Sequence, residues 1–155
     1  YYDIDELQDK VNAILKSSPC DGDEYDIQDY EGFGDLFKGG MYPSLKEAWA
    51  IHETLLEVEE AGIDEDLFLD FVSHLGDEVN SSLIGKFQDS YQGAHDSLED
   101  YAEQLLEDCG DISSIPKNLR YYIDFERYAK DLEMNGDIFT IETGWREIHV
   151  FSNYY

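Results

Sequence analysis

Carboxylates are the most numerous side chains in this sequence that could take part in catalysis or metal binding, because 37 of its 155 residues are Asp or Glu. Asp21, Asp23 and Asp26 lie close together in a turn-like segment and could offer oxygen ligands to Ca²⁺. An EF-hand loop, however, needs an oxygen ligand at about position 5, Gly at about position 6 and Glu at about position 12. Counted from Asp21, Tyr25 and Asp26 fall where that ligand and that glycine belong, so the calcium pattern fails.

Other catalytic and metal-binding patterns also fail. Carboxylate pairs hydrolyse glycosides in many enzymes, but among 37 acids some pairs fall close together by chance. The histidines, which share no zinc-ligand spacing, are His52, His74, His95 and His149. His52 falls within an apolar stripe, so we expect it in the core or at its boundary. The glycines between positions 32 and 40 lack the Lys-Ser/Thr pair of a phosphate-binding loop. The sequence therefore predicts a protein that is not an enzyme and has no catalytic residue, metal or cofactor.

The cysteines and the hydropathy indicate a cytoplasmic protein. Cys20 and Cys109 are far apart and match no metal or redox motif, which favours two reduced thiols. We expect no signal peptide, and the sequence contains no apolar run near about 18 residues in length. We therefore expect neither a membrane partner nor a disulfide.

The charge balance is the most informative property of the chain. The 37 acids face 10 bases, for a net charge of −27, whereas small domains usually carry a net charge of about 2 to 8 in magnitude. The acids are spread along the whole chain, so they do not form a detachable acidic tail. Direct binding to nucleic acid is disfavoured, because it requires clustered basic side chains.

Two predicted helices carry acids at helical spacing on one face. These acids are Glu53, Glu57 and Glu60 on the first helix and Glu99, Glu103 and Glu107 on the second. Like charges four residues apart weaken a helix by a few tenths of a kcal/mol, so helix stability does not explain them. A charge of −27 equals that of about 13 to 14 base pairs of duplex DNA. The pattern predicts a surface that offers carboxylates where a DNA-binding partner expects phosphates.

Two other interpretations of the charge remain open at this point. The chain could be an acidic interaction module that binds another basic protein, such as a nucleoid protein or a toxin. It could also be a halophilic enzyme whose charge reflects a salty environment, although the sequence offers no motif for an active site.

Apolar spacing and capping residues place most of these acids on helices. The predicted helices cover residues 4–16, 44–62, 64–75, 77–88, 97–109 and 125–134, and the predicted strands cover residues 25–29, 138–143 and 145–151. Ser44 with Glu47 forms a capping box, and Asp124 is a predicted N-cap. The last two strands form a hairpin joined near Gly144. These elements predict an α+β protein with strands at both ends and helices between them.

Several segments resemble the ArdA family of antirestriction proteins. Residues 27–33 read Ile-Gln-Asp-Tyr-Glu-Gly-Phe, which is similar to a family segment Ile-x-Asp-Tyr-Glu-Gly-Phe. The other matching segments are Tyr91–Gly93, Ser97–Ala102, Ile115-Pro116 with Leu119, and Tyr122–Glu133. The last of these resembles the antirestriction motif of the family. Together the segments extend over about residues 2–151, in the family's order.

The resemblance implies an elongated protein of three small domains. They would be an N-terminal sheet with a helix over residues 1–43, a helical bundle over residues 44–90 and an α+β domain with a β-hairpin over residues 91–155. The opening strands of the family would precede Tyr1. The implied function is mimicry of bent B-form DNA by a homodimer, which occupies the DNA groove of a type I restriction–modification enzyme and protects plasmid or phage DNA entering a bacterial host.

The resemblance and the acidic pattern together predict which residues form the binding surface. The expected phosphate substitutes are Glu53, Glu57, Glu60, Asp64, Asp70, Glu99, Asp100, Glu103, Glu107, Asp124, Glu126 and Asp131. Asp124 could instead serve only as an N-cap, and Asp131 could pair with Arg127 or Lys130. The expected dimer contact is the segment from Phe87 to Gly93, with Tyr91 at its centre. A core role is the alternative for Phe87.

Overall fold

A computed structural model of the chain describes residues 3–17 and 43–153. The chain divides into two compact units, Tyr1–Leu83 and Ile84–Tyr155. Helices and one three-stranded antiparallel sheet make up the described residues, so the predicted α+β class is confirmed. The predicted strand over residues 25–29, the glycine-rich loop after it and the candidate calcium ligands lie outside the described residues.

The described part of the first unit contains three complete helices, and capping groups set the start of the second and both ends of the third. They are α1 (Ile4–Ser17), α2 (Leu45–Glu60) and α3 (Glu65–Leu75). The predicted capping box starts α2: the Glu47 N–H donates to the Ser44 hydroxyl over 3.3 Å, and the Ser44 N–H donates to the Glu47 carboxylate over 2.7 Å. The Asp64 carboxylate caps α3, and Gly76 ends it in the left-handed conformation that glycine favours, with φ of 69°.

The core of the first unit is built mainly by α3. Phe68 and Phe71 are fully buried, and Val72 lies with them in the interior. On α2 the buried side chains are Thr54, Leu55 and Val58. The apolar spacing of α2 predicts His52 and Leu56 in the buried stripe, and both predictions are wrong, because the buried face is rotated away from them. His52 is exposed and contacts the edge of the Trp49 ring at 5.9 Å between centroids, and Leu56 is 39% exposed.

Helix α4 (Ser82–Ser90) crosses the boundary between the two units, and it begins at Ser82 rather than at the predicted Asp77. Asn80 is the reason for the later start. Its side-chain oxygen accepts a hydrogen bond from the Ser82 N–H over 3.1 Å, and its carbonyl accepts one from the Leu83 N–H over 3.1 Å. Asn80 therefore acts as the cap, and the residues before it stay outside the helix.

The second unit contains a sheet of β1 (Tyr91–His95), β2 (Ile138–Gly144) and β3 (Glu147–Ser152) in the antiparallel order β1-β3-β2. The predicted hairpin is confirmed, but Trp145 and Arg146 form its turn, so Trp145 does not begin the last strand. Strand β1 was not predicted. It carries a bulge between Tyr91 and Gly93, where Gly93 has φ of 108°, a conformation that other residues rarely adopt.

Helices cover one face of this sheet. Helix α5 (Leu98–Asp108) leads to two short helical turns, α6 (Asp111–Ser114) and α7 (Lys117–Arg120), and then to α8 (Phe125–Met134). The helices predicted over residues 97–109 and 125–134 are confirmed by α5 and α8, and Ser97 and Asp124 are their N-caps. The core beneath α5 and α8 contains Tyr101, Ile138 and Val150, against which Leu98, Leu105, Leu132 and Ile148 pack.

Aromatic rings form a second cluster in this unit. Phe151 contacts Phe139 at 5.1 Å and Phe87 at 5.2 Å between ring centroids, and Phe87 stacks on Tyr91 at 5.5 Å. Phe87 is only 3% exposed, so it belongs to the core of the chain. This cluster ties the end of α4 to β1 and to the hairpin.

Candidate functional site

The predicted acidic surface consists of solvent-exposed side chains. All twelve acids singled out from the sequence are exposed. Five of them belong to the first unit: Glu53, Glu57 and Glu60 on α2, Asp64 at the start of α3, and Asp70 on α3. Because the buried residues occupy the other side of α2, its three acids can meet a partner without any change in the core.

Helix α5 carries the densest group of predicted acids in the second unit. Glu99, Glu103 and Glu107 are exposed and follow one another by four residues, or about 6 Å of helix rise. Tyr101 and Ala102 are buried on the opposing side. The helix therefore has an apolar face toward the sheet and a carboxylate row toward solvent.

The acids of α8 are exposed to solvent, and two of them also have partners within the chain. The Asp124 carboxylate accepts a hydrogen bond from the Arg127 N–H over 2.9 Å, so its capping role is present. The Glu126 carboxylate pairs with the Lys130 ammonium at 2.6 Å, and this hydrogen bond raises the pKa of Lys130. Lys130 thus pairs with Glu126 rather than with Asp131. Part of the negative charge on this helix is neutralised within the chain.

The predicted dimer segment is held together by ring contacts and one hydrogen-bonded histidine. The Tyr91 hydroxyl lies 3.0 Å from Nδ1 of His149, and Nε2 of His149 lies 3.0 Å from the Thr143 hydroxyl. Burial raises the pKa of Tyr91, and the nearby charge of Glu147 adds to this. Tyr91 and Gly93 are partly exposed. The structure brings Phe87 and Tyr91 together, and the contact with a second chain stays a prediction.

The described residues offer little for a metal site or a membrane span. Within residues 3–17 and 43–153, no group of three or more His, Cys, Asp or Glu side chains could hold a metal ion. In the same ranges, every helix is too short or too polar to cross a membrane. Cys109 has a free, exposed thiol at the end of α5, and Cys20 lies outside the described residues.

Several exposed aromatic residues were not singled out from the sequence. Trp145 and Tyr121 are each 89% exposed, and Tyr122 is nearly as exposed. A sequence signal did exist for Trp145, because a tryptophan directly after the glycine of a hairpin turn has few neighbours to cover it. The apolar spacing of the strands instead assigned it to β3.

Comparison with known families identifies the chain. The model of the ArdA antirestriction protein family matches residues 2–147, which is nearly the whole chain. A comparison with curated proteins found no significant match. Membership in this family implies an antirestriction function and interaction with restriction–modification enzymes. By its sequence, the chain belongs to the ArdA antirestriction protein family.

Proposed function

We propose that this protein is a DNA mimic that occupies the DNA-binding groove of type I restriction–modification enzymes. In the cytoplasm of a bacterial host, it would protect the incoming DNA of a plasmid, conjugative element or phage. The observation that carries the proposal is the exposure of all twelve predicted acids in a chain with a net charge of −27. Membership in the antirestriction family supports it.

The physical basis of the proposal is the exchange of one polyanion for another. A groove built for DNA contains Lys and Arg side chains that neutralise phosphates and release counterions. The carboxylate rows on α2 and α5 can engage the same side chains. Because no bond is made or broken, inhibition requires only that the protein fill the groove, and we propose that it acts stoichiometrically and not as an enzyme.

The proposed functional unit is a homodimer. Two chains carry twice −27, or −54, which equals the charge of about 27 base pairs. This charge is enough to replace the DNA footprint of a large enzyme. Tyr91 and Gly93 are the proposed contact residues, with Phe87 behind them in the core.

The decisive experiment is competition for a type I methyltransferase core. A fluorescent duplex with the cognate site is bound to the enzyme, and the full chain is added at several salt concentrations. We expect displacement of the duplex, with an apparent affinity that falls as salt rises. Simultaneous binding of duplex and protein would overturn the proposal. Preferential recovery of a basic partner unrelated to restriction would favour the interaction-module alternative.

Charge-matched variants separate the specific surface from the total charge. The α5 variant Glu99→Gln, Glu103→Gln, Glu107→Gln should weaken inhibition about 10-fold, at about 0.5 kcal/mol per lost exposed ion pair. The control variant replaces Asp5, Glu6 and Asp9, three exposed acids of α1, by their amides. It changes the net charge equally, so equal losses in both variants would argue against a role specific to α5.

A further inference from the structure

The tip of the β2–β3 hairpin has a composition that folding does not explain. Its turn consists of Trp145 and Arg146, and Trp145 is 89% exposed. Arg146 has φ of 61°, which makes it the one residue other than glycine with a positive φ among the described residues. Asn, Asp and Gly are the residues that tolerate this conformation in hairpin turns. Arginine there strains the backbone, and the exposed indole gains nothing from burial.

The two side chains of the tip contact each other. The guanidinium carbon of Arg146 lies 5.3 Å from the centroid of the Trp145 ring, within the range of a cation–π interaction. The strands below them are firmly anchored, since Val150 and Phe151 of β3 are fully buried. The contact with Arg146 restricts the indole before binding, which lowers the entropy lost when a partner covers it.

We propose that Trp145 is an apolar anchor that inserts into a pocket of the restriction enzyme next to its DNA-contacting basic side chains, and that Arg146 positions the indole by stacking on it. This inference rests on the proposed function. Trp and Arg are enriched among the residues that dominate protein–protein binding energy. Backbone strain at an exposed turn also tends to mark functional positions. The anchor supplies affinity that does not depend on salt, and the carboxylate rows supply the part that does.

The charges around the tip select the kind of partner. Glu142 and Glu147 are exposed on the two strands that flank Trp145. Arg146 offsets one of these two charges, so the tip keeps a net negative charge and favours a partner whose pocket has basic side chains at its rim. Tip-to-tip contact with a second copy of this chain is disfavoured, because two-fold symmetry would bring the same carboxylates together.

The test measures the affinity of the full chain for the methyltransferase core at low and high salt. Trp145→Ala should weaken binding about 30-fold at both salt concentrations, with the slope of log K against log salt unchanged. Trp145→Phe should recover part of the loss. The matched control is Tyr121→Ala, which removes an equally exposed ring outside the hairpin. Unchanged affinity of Trp145→Ala, or an equal loss in the control, would overturn the inference.

Arg146→Gly distinguishes binding from folding. Glycine relieves the strained turn, so we expect a higher melting temperature together with weaker binding. A higher melting temperature with unchanged affinity would show that Arg146 does not position the indole for binding.

The outcomes for the two proposals can be told apart. If the wild-type chain fails to compete with duplex DNA, the proposed function and the anchor both fail. If it competes and Trp145→Ala competes equally well, only the anchor fails. Sedimentation of Trp145→Ala provides the last check, since a dimer that dissociates on this change would assign the tip to self-association instead.

Discussion

The capping box at the start of α2 links one carboxylate to helix stability. Glu47 accepts hydrogen bonds from the Ser44 backbone N–H over 2.7 Å and from the Ser44 hydroxyl over 2.8 Å. Both bonds favour the ionised form, with the backbone bond the larger cause, so they hold the pKa of Glu47 below its ordinary value of 4.5. A pKa that is lowered in the folded state means that the ionised group stabilises the fold at pH values above its pKa in the unfolded chain.

This linkage predicts a pH-dependent effect of Glu47→Gln. The variant should melt at a lower temperature than the wild type at neutral pH. The difference should shrink as the pH falls below 4.5 and through the folded-state pKa, because the wild-type carboxyl then becomes neutral too. Thermal melts across this range measure the effect. Glu53→Gln, a change on the same helix outside the cap, is the control, and a pH-independent difference for Glu47→Gln would contradict the assignment.

Two glycines should respond to alanine in opposite directions. Gly93 sits at the β1 bulge with φ of 108°, so Gly93→Ala should cost about 1–3 kcal/mol of backbone strain. Gly85 lies within α4, with φ outside the positive range and no atom within 4 Å of an added Cβ. Gly85→Ala should therefore stabilise by up to about 1 kcal/mol. Urea unfolding measures both, and the same sign for the two variants would refute this reasoning.

At the level of elements, the aromatic cluster behind the sheet should dominate the stability of the second unit. Phe151 is fully buried and contacts the rings of Phe87 and Phe139. Phe151→Ala should lower the free energy of unfolding by about 3–5 kcal/mol, because it leaves a cavity among these rings. The control Trp145→Ala, at the exposed tip, should change stability by about 0.5 kcal/mol or less. A small loss for Phe151→Ala would show that the cluster is loosely packed.

Elements with a local signal could be predicted from the sequence, and those that depend on distant residues could not. Asp124 as the N-cap and Asn135-Gly136 as a helix stop predict a helix over Phe125–Met134, and the structure confirms α8 at these bounds. Strand β1 carries no apolar alternation, since Tyr91 is followed by Gln, Gly, Ala and His. Only its pairing with β3 makes it a strand. His52 was misplaced for a related reason, because which face of α2 is buried depends on packing against other helices.

The candidate surface was predictable to a similar extent. Exposure of the twelve acids follows from their type, since Asp and Glu are rarely buried. Their partners were harder to foresee: Lys130 had acids on both sides, and the structure pairs it with Glu126. The exposed hairpin tip was not predicted, because the strand spacing assigned Trp145 to β3 and not to the turn before it.

For the whole molecule, the net charge of −27 should make stability depend strongly on salt. Repulsion among the acids acts over a Debye length of about 30 Å at 0.01 M salt but only about 10 Å at 0.1 M. We expect the melting temperature to rise by several degrees when NaCl is increased across this range. Choline chloride at equal ionic strength should have the same effect, since screening requires no specific cation. A melting temperature that stays constant or falls would contradict this expectation.

The two outer edges of the sheet give the same charge a second role. Strands β1 and β2 are the outer strands, and each has β3 as its only hydrogen-bonded neighbour among the described residues. Exposed strand edges can pair with strands of other molecules. At neutral pH the repulsion between chains opposes such contacts, but at the isoelectric point, about pH 4.1, it vanishes. Colloidal stability thus comes from ionised carboxylates, and acid precipitates should grow by strand pairing at these outer edges.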